Sequence, residues 1–373
     1  MTAEKKRIDH DKFHVSTANA LLGSLVHKHT KIWLSMGDLE SKVLRNSLDR
    51  IAVDSPVFIA GLTRSGSTIL LELFAQFAET CTHQYRDFPP VFTPFWWNWL
   101  VDRSLRQEVL PTERAHANRI QVTPESPEAF EEPIWMAFFP GLHDPAASNI
   151  LDGKQRYPAF ERFYDDHIRK LLMVRKASRY VSKGNYNISR LQYLQSIYPD
   201  ARFVIPIRGP SAHVASLMKQ HSLYRKASDN NTHARNHLRW AGHFEFGLDR
   251  SPINMGDSKC ISEILQFWKD GHELRGWARY WSHIYGAVAD QLETNPQLKE
   301  ATIVVRYEDF CRSPAEMVRA ILTHTDFQVH SSVVDAFSEK ISLPTYYTWP
   351  YSDNDLAILR EETSLTALRL GYS

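Results

Sequence analysis

The stretch VFIAGLTRSGSTILLELF, from Val57 to Phe74, constrains the fold more than any other part of the chain. Its first residues form a short apolar run, which is typical of a strand buried on both faces, and its last residues show a helical pattern. Between them lies a turn that contains Gly61 and Gly66. Backbone N–H groups in such a turn converge on one point, and the dipole of the following helix favours negative charge there. The stretch therefore predicts a phosphate-binding loop between a buried strand and a helix.

The loop lacks the lysine that nucleoside triphosphatases use. In those enzymes the lysine contacts the β and γ phosphates, and the Ser or Thr after it holds magnesium. Here Ser67 occupies the lysine position, and Arg64 is the only basic residue in the loop. The difference argues against ordinary ATP or GTP hydrolysis. A nucleotide kinase with an atypical loop and a turn that merely joins a strand to a helix remain alternatives.

Similar strand–helix units recur along the chain. Residues 202–207 (RFVIPI) form a second buried strand before a helix, and ATIVVRYEDF forms a third. Two amphipathic helices are predicted between about Val15 and Arg50. This alternation predicts an α/β fold with a P-loop-like, mostly parallel sheet flanked by helices, in which ligands bind at the carboxyl ends of the strands. We expect a single domain over residues 1–373, with an N-terminal helical lead-in (1–54) and a core with helical and aromatic insertions (55–373).

The composition of the chain limits the classes of partner that we expect it to bind. The 44 Lys and Arg residues nearly balance 43 Asp and Glu residues, so no global field attracts nucleic acid or a charged membrane surface. No apolar run suggests a signal peptide or a membrane anchor, and the three cysteines lack the spacing of a zinc site or disulfide scaffold. His233, His237 and His243 have no accompanying carboxylate, so we expect no metal site. The sequence predicts a cytoplasmic protein that has neither nucleic-acid nor membrane partners, and it is compatible with a homodimer.

The segment TRSGST resembles the 5′-phosphosulfate loop of the sulfotransferase family, which uses 3′-phosphoadenylyl sulfate (PAPS) as its sulfuryl donor. The resemblance explains why the loop has no lysine, because this donor has no γ-phosphate and no obligatory metal. It implies that PAPS is the co-substrate and that the donor is bound by Arg64, Ser65, Gly66, Ser67 and Thr68.

Three further segments resemble the same family. FVIPIRGPSAHVASLMKQ is similar to its 3′-phosphate element, which implies that Arg208 and Ser216 bind that group. A guanidinium group can hold a phosphate through two hydrogen bonds. VSKGNYNISR and VRYEDF are similar to later elements, which implies that Lys183 and Tyr307 lie in the donor site. One departure is Gly209, where the family usually has an acidic residue.

The spans YRDFP and SPEAFEE and the ending LREETSLTALRLGY resemble bacterial members of the branch that includes protein-tyrosine sulfotransferases. The resemblance implies transfer of the sulfuryl group to a hydroxyl, less favourably to an amine, of a small molecule or a saccharide. The other product would be adenosine 3′,5′-bisphosphate. A catalytically inactive nucleotide-binding relative is the non-enzyme alternative.

The chemistry of this transfer requires cations and a base. Negative charge grows on the bridging oxygen as the phosphate leaves, and Arg64 and Lys183 are the cations predicted to neutralise it.

The acceptor hydroxyl must also lose its proton to a base within hydrogen-bond reach. Asp87 is the nearest match to the acidic residue that the resemblance points to. Its rivals are Glu131, Glu132, His116 and His143.

Overall fold

The computed structural model describes residues 16–104, 112–113, 121–229, 231–342 and 350–372. A central parallel sheet is formed by β1 (Val57–Ile59), β2 (Thr80–Cys81), β5 (Arg179–Lys183), β6 (Arg202–Ile207) and β7 (Thr302–Arg306). The strand order is β2-β5-β1-β6-β7, and every neighbouring pair is parallel. A separate antiparallel pair joins β3 (Thr112–Glu113) and β4 (Gln121–Val122). The prediction of an α/β fold with a mostly parallel sheet is confirmed.

Helices surround the sheet. In chain order they are α1 (Thr17–Lys28), α2 (Thr30–Leu48), α3 (Ser67–Phe74), α4 (Pro94–Ser104), α5 (Glu132–Phe138), α6 (Pro158–Arg175), α7 (Leu191–Ile197), α8 (Pro210–Ser228), α9 (Thr232–Trp240), α10 (Ser258–Lys269), α11 (Glu273–Thr294), α12 (Pro296–Glu300), α13 (Tyr307–Arg312), α14 (Pro314–His324), α15 (Ser331–Ser338) and α16 (Asp353–Arg369). Two short 3₁₀ turns span Tyr85–Asp87 and Asn185–Ser189. In this described part, no helix is long and apolar enough to cross a membrane.

The sheet is buried on both faces. Because successive strand residues point to opposite faces, Phe58 and Phe203 enter one apolar cluster, whereas Val57, Ile59 and Val204 enter another. The clusters lie under helices on the two sides of the sheet. This arrangement explains why the strands read as continuous apolar runs without polar alternation.

The two predicted N-terminal helices are present as α1 and α2, and α2 packs closely against the rest of the chain. Lys170 Nζ lies 3.1 Å from Glu40 Oε2, and neither side chain has exposed area. Lys170 also donates to the backbone oxygen of Gly37 at 3.0 Å, while Glu40 accepts the N–H of Trp96 at 2.6 Å. These buried bonds fix α2 to α6 and α4.

The sequence predicts aromatic insertions but does not assign them to a pocket or to a packed core. In the segment that contains Trp135, they form a core: its ring lies 4.3 Å from that of Phe160 and 5.4 Å from that of Tyr164, measured between centroids. Trp135 is fully buried. The guanidinium of Arg190 lies 4.3 Å from its ring, so a cation covers one face of this core residue.

Candidate functional site

The residues predicted to bind the donor lie at the carboxyl edge of the sheet. Lys183 is the last residue of β5, and its backbone pairs with Ile59, which ends β1 just before the glycine-containing loop. Arg208 and Tyr307 directly follow the neighbouring strands β6 and β7. Strand pairing therefore brings together groups that are far apart in the sequence, as expected for a ligand site in a parallel sheet.

The two glycines of the loop allow close packing. Gly66 has a φ of 108°, and a Cβ atom there would lie 2.8 Å from Cδ2 of Tyr307. A Cβ atom on Gly61 would lie 2.9 Å from the backbone oxygen of Pro206. Arg64 also has a positive φ, of 70°. L side chains rarely adopt such values. The positive φ angles of Arg64 and Gly66 give the loop a tightly turned backbone, which a phosphate-binding loop requires.

Side chains of the loop and of α8 contact each other. Arg64 Nε donates to Ser216 Oγ at 3.2 Å, so the residue predicted for the 5′ end of the donor meets one predicted for the 3′ end. His213, one turn earlier on α8, bonds through Nε2 to the backbone oxygen of Thr63 at 2.9 Å. Burial lowers the pKa of His213 to about 3, so its ring is neutral and Nε2 carries the proton donated in this bond. The loop is thus held against α8 at two points.

Arg208 completes this edge. Its guanidinium carbon lies 5.1 Å from the centre of the Tyr307 ring, and its side chain is largely buried. Its backbone oxygen accepts the indole N–H of Trp281 at 3.2 Å. A guanidinium held over an aromatic face loses less conformational freedom when it binds an anion, because its plane is already oriented.

The turn at Gly209 contains a carboxylate from another element. Glu308 Oε1 accepts the N–H of Gly209 at 2.9 Å, and Glu308 Oε2 accepts the hydroxyl of Tyr372 at 2.8 Å. A Cβ atom on Gly209 would lie 3.2 Å from Glu308 Oε1. The glycine therefore leaves room for Glu308, which supplies an acidic group beside this turn.

Lys183 is paired with a carboxylate that the sequence analysis missed. Lys183 Nζ lies 3.4 Å from Glu128 Oε1, and the side chains are 7% and 5% exposed. The hydroxyl of Tyr85 donates to Glu128 Oε2 at 2.6 Å, and the N–H of Ala129 donates to Oε1 at 2.9 Å. The sequence did point to the segment that contains Glu128, because SPEAFEE and YRDFP both resemble the same branch of the family. Nothing in the sequence indicated which acidic residue of the second span faces the lysine.

Asp87, the first candidate base, is enclosed by donors. It accepts hydrogen bonds from Arg175 at 2.6 Å, from Asn98 at 2.9 Å and from the backbone N–H of Gln84 at 2.8 Å. Burial alone would raise the pKa of Asp87, but the imidazole of His83, 3.7 Å away, and the charge of Arg175 outweigh burial and hold the pKa well below its usual range. These contacts argue for a structural carboxylate.

Glu131 has a comparable environment. It accepts hydrogen bonds from three hydroxyl groups, those of Tyr164 at 2.7 Å, Tyr180 and Ser182. The segment that carries Glu131 is thereby anchored to α6 and β5.

Glu132 and His143, two further candidates, occupy one buried network. Arg190 donates to both carboxylate oxygens of Glu132, at 2.6 and 3.0 Å, and His143 Nε2 lies 2.7 Å from Oε1. Burial raises the pKa of Glu132, but the interactions with Arg190 and His143 outweigh burial and lower this pKa to about 2. The remaining candidate, His116, lies outside the described residues. The prediction that one of these five residues is the base stays a prediction, and the observed contacts do not favour the four described ones.

A cavity of about 20 Å³ lies beside Lys183, between Glu131, Asn185, His243 and Glu245. A space of this size holds about one water molecule. By itself it is too small for a ring or a sugar. In the described ranges, no group of three or more His, Cys, Asp and Glu side chains is arranged to hold a metal ion.

The parallel sheet defines an α/β protein, and the candidate site lies at the carboxyl ends of its strands, beside Arg64 and Arg208. Residues 56–251 match the profile of the Sulfotransferase family, and this span is more than half of the chain. The chain therefore belongs to the sulfotransferase family, a family of transferases.

One solved structure supports the fold. The sulfotransferase STF9 from Mycobacterium avium has a TM-score of 0.51 and 12% identity, covering 98% of this chain and 90% of its own. The sulfotransferase STF1 from Mycobacterium tuberculosis has a TM-score of 0.48 and 14% identity, covering 94% and 86%. A comparison with curated proteins finds no match. At these identities, the likeness to the Mycobacterium avium protein concerns the fold alone.

Proposed function

We propose that this protein transfers the sulfuryl group of PAPS to a hydroxyl group of a small molecule or a saccharide, and releases adenosine 3′,5′-bisphosphate. An amine is the less favoured acceptor. The observation that carries the proposal is the hydrogen bond between Arg64 and Ser216, with Arg208 at the end of the adjacent strand. It joins the glycine-containing loop to the segment that we propose binds the second phosphate, on the same sheet edge.

The arrangement suits a ligand with two separate phosphate groups. The loop between Gly61 and Gly66 offers backbone N–H groups and Arg64 to one phosphate. Arg208 and Ser216 offer a guanidinium and a hydroxyl to the other. A nucleoside triphosphate would instead require a lysine where Ser67 stands. The donor with a 5′-phosphosulfate and a 3′-phosphate fits these residues better.

Arg64 and Lys183 are the proposed stabilising cations. The acceptor oxygen forms a bond to sulfur, while the bond between sulfur and the phosphate oxygen breaks and its electron pair stays on that oxygen. A cation aimed at this developing charge lowers the barrier. An arginine does not lose its proton in a protein, so any proton given to the leaving oxygen would come from Lys183.

The first test is calorimetric binding of adenosine 3′,5′-bisphosphate, with ADP and magnesium-ATP as comparisons. We expect the bisphosphate to bind without magnesium, and we expect Arg208→Ala to weaken it about 10- to 100-fold, the usual loss for hydrogen bonds to a charged group.

Arg202→Ala is the matched control, because Arg202 begins the same strand at the opposite edge and pairs with Asp326 at 2.9 Å. It should leave binding unchanged. A preference for magnesium-ATP, or an equal effect of the two variants, would overturn the proposal and favour the nucleotide-kinase alternative.

A further inference from the structure

A buried histidine on α8 takes no part in the chemistry proposed above. His213 has no exposed area, and its Nδ1 atom has no hydrogen-bond partner among the described residues. A buried polar atom without a partner costs free energy. Stability alone therefore does not explain a histidine at this position. The other ring nitrogen, Nε2, makes one hydrogen bond, to the backbone oxygen of Thr63 in the glycine-containing loop, at 2.9 Å.

The ring of His213 is held by its own helix and by α11. The backbone N–H of His213 donates to the backbone oxygen of Gly209 at 2.9 Å, at the start of α8. The centre of the imidazole lies 6.1 Å from the centre of the Tyr285 ring. Tyr285 in turn donates its hydroxyl to the backbone oxygen of Pro206, in β6, at 3.2 Å. The N–H that meets the loop is therefore carried by packed helices on the sheet.

The bond from His213 determines which way one peptide group of the loop faces. Among the described residues the cis peptide bond is that of Phe88–Pro89, so the peptide between Thr63 and Arg64 is trans. In a trans peptide, the C=O and N–H groups point in opposite directions. Because the oxygen of Thr63 is turned towards α8, the backbone N–H of Arg64 is turned away from α8.

We propose that His213 is a positioning residue for the 5′ phosphate of the donor. It holds the peptide so that the N–H of Arg64, and not the oxygen of Thr63, faces the phosphate. The inference rests on the proposed function. Backbone N–H groups attract a phosphate, whereas a carbonyl oxygen in the same place carries partial negative charge and repels it.

The loop needs such a constraint. Arg64 has a φ of 70°, and a value of this kind persists in a residue other than glycine only where the surrounding contacts enforce it. Thr63 and Arg64 are only partly buried, so a rotated carbonyl group could reach water. Without the bond from His213, the peptide would lose a contact that favours the phosphate-binding orientation.

Two monophosphates separate the ends of the donor. Adenosine 5′-monophosphate has only the phosphate assigned to the loop, and adenosine 3′-monophosphate has only the phosphate assigned to Arg208 and Ser216. Calorimetry measures both, together with adenosine 3′,5′-bisphosphate. We expect His213→Leu to weaken the bisphosphate and the 5′-monophosphate about tenfold, the usual order for one hydrogen bond, and to leave the 3′-monophosphate unchanged. Arg208→Ala should weaken the 3′-monophosphate and leave the 5′-monophosphate unchanged.

Two further variants separate the hydrogen bond from the ring itself. His213→Gln keeps an N–H donor near the position of Nε2 and should restore most of the affinity for the 5′-monophosphate. His221→Leu is the matched control, because it removes a second buried histidine of α8, about two turns later. Nδ1 of His221 accepts the N–H of Gly247 at 3.3 Å. This variant should bind all three ligands normally, even where it lowers the temperature of thermal unfolding.

The pattern across the ligands decides the matter. If His213→Leu weakens the 3′-monophosphate as much as the bisphosphate, its role is generally structural and the inference is overturned. Equal binding of the 5′-monophosphate by the wild-type protein and His213→Leu, or by His213→Leu and His213→Gln, also overturns it. If the wild-type protein binds none of the three adenosine phosphates, the proposed function itself has failed, and the inference fails with it.

Discussion

The donor side and the acceptor side of the proposed site are built differently. On the donor side, Lys183 ends a strand of the parallel sheet, and the loop, Arg208 and Tyr307 each follow one, so sheet topology alone brings them to one edge. On the acceptor side, the segment around Glu128 is placed by side-chain bonds and by an isolated bridge between residues 84 and 127. Local sequence patterns report strand ends well, but they do not report such non-local bonds.

The largest effect should come from the acceptor side and should concern stability. Glu132→Gln leaves the buried Arg190 without its ion pair, and removing one partner of such a pair costs about 3–5 kcal/mol. We expect a loss of this size in the free energy of unfolding at neutral pH, measured by urea titration. Turnover per folded molecule should change little.

The pH dependence of this loss follows from the lowered pKa. The carboxyl of Glu132 has a pKa of about 2 in the folded chain, against a usual value of 4.5. Its contribution to stability is therefore complete above about pH 4.5 and disappears as the pH falls towards 2. The difference between Glu132→Gln and the wild-type protein should shrink over that range. If turnover is abolished while stability is unchanged, Glu132 is the base and the proposed contrast between the two sides is wrong.

The next effect concerns the donor side. Gly66→Ala places a Cβ atom at a φ of 108° and 2.8 Å from the Tyr307 ring, so the loop must shift. Strain of this kind costs about 1–3 kcal/mol. We expect bisphosphate affinity to fall about 10- to 100-fold in calorimetry.

Gly141→Ala is its control, because a Cβ atom there would meet nothing within 4 Å. Normal binding by Gly66→Ala would show that the loop is not part of the donor site.

The smallest effect tests the turn at Gly209. Tyr372→Phe removes the hydroxyl that donates to Glu308, and a neutral or charge-assisted bond of this kind contributes about 1 kcal/mol. We expect bisphosphate affinity to fall about two- to fivefold. Tyr157→Phe is a suitable comparison, because its hydroxyl bonds to Gln155 in a different part of the chain. An effect larger than that of Arg208→Ala would mean that Glu308 has a more direct role in binding.

Most of the donor edge could be predicted from the sequence. The strand over residues 202–207 has the expected bounds, and Arg208 and Ser216 lie where a strand end and the next helix must place them. The two-residue strand β2 was not predicted, since Thr80 and Cys81 carry no periodic signal. The hydrogen bond between Arg64 and Ser216 was not predicted either, because side-chain contacts over 152 residues follow from packing and leave no local pattern.

The carboxylate that pairs with Lys183 was harder to predict, for a physical reason. SPEAFEE contains three glutamates within five residues, and their local sequence does not distinguish them. What distinguishes them is the partner of each: hydroxyl groups for Glu131, a guanidinium for Glu132 and the ammonium of Lys183 for Glu128. These partners come from α6, β5 and the residue before α7, whose positions depend on the completed fold.

The anchoring of Glu131 and Glu132 also bears on how such a site could evolve. Their buried bonds fix the end of the segment, and the bridge between residues 84 and 127 holds the residues before Glu128 through the backbone. Positions 123–127, none of which is buried, can then accumulate substitutions without moving the carboxylate. Such substitutions would vary the surface beside the Glu128–Lys183 pair while the pair itself stays in place.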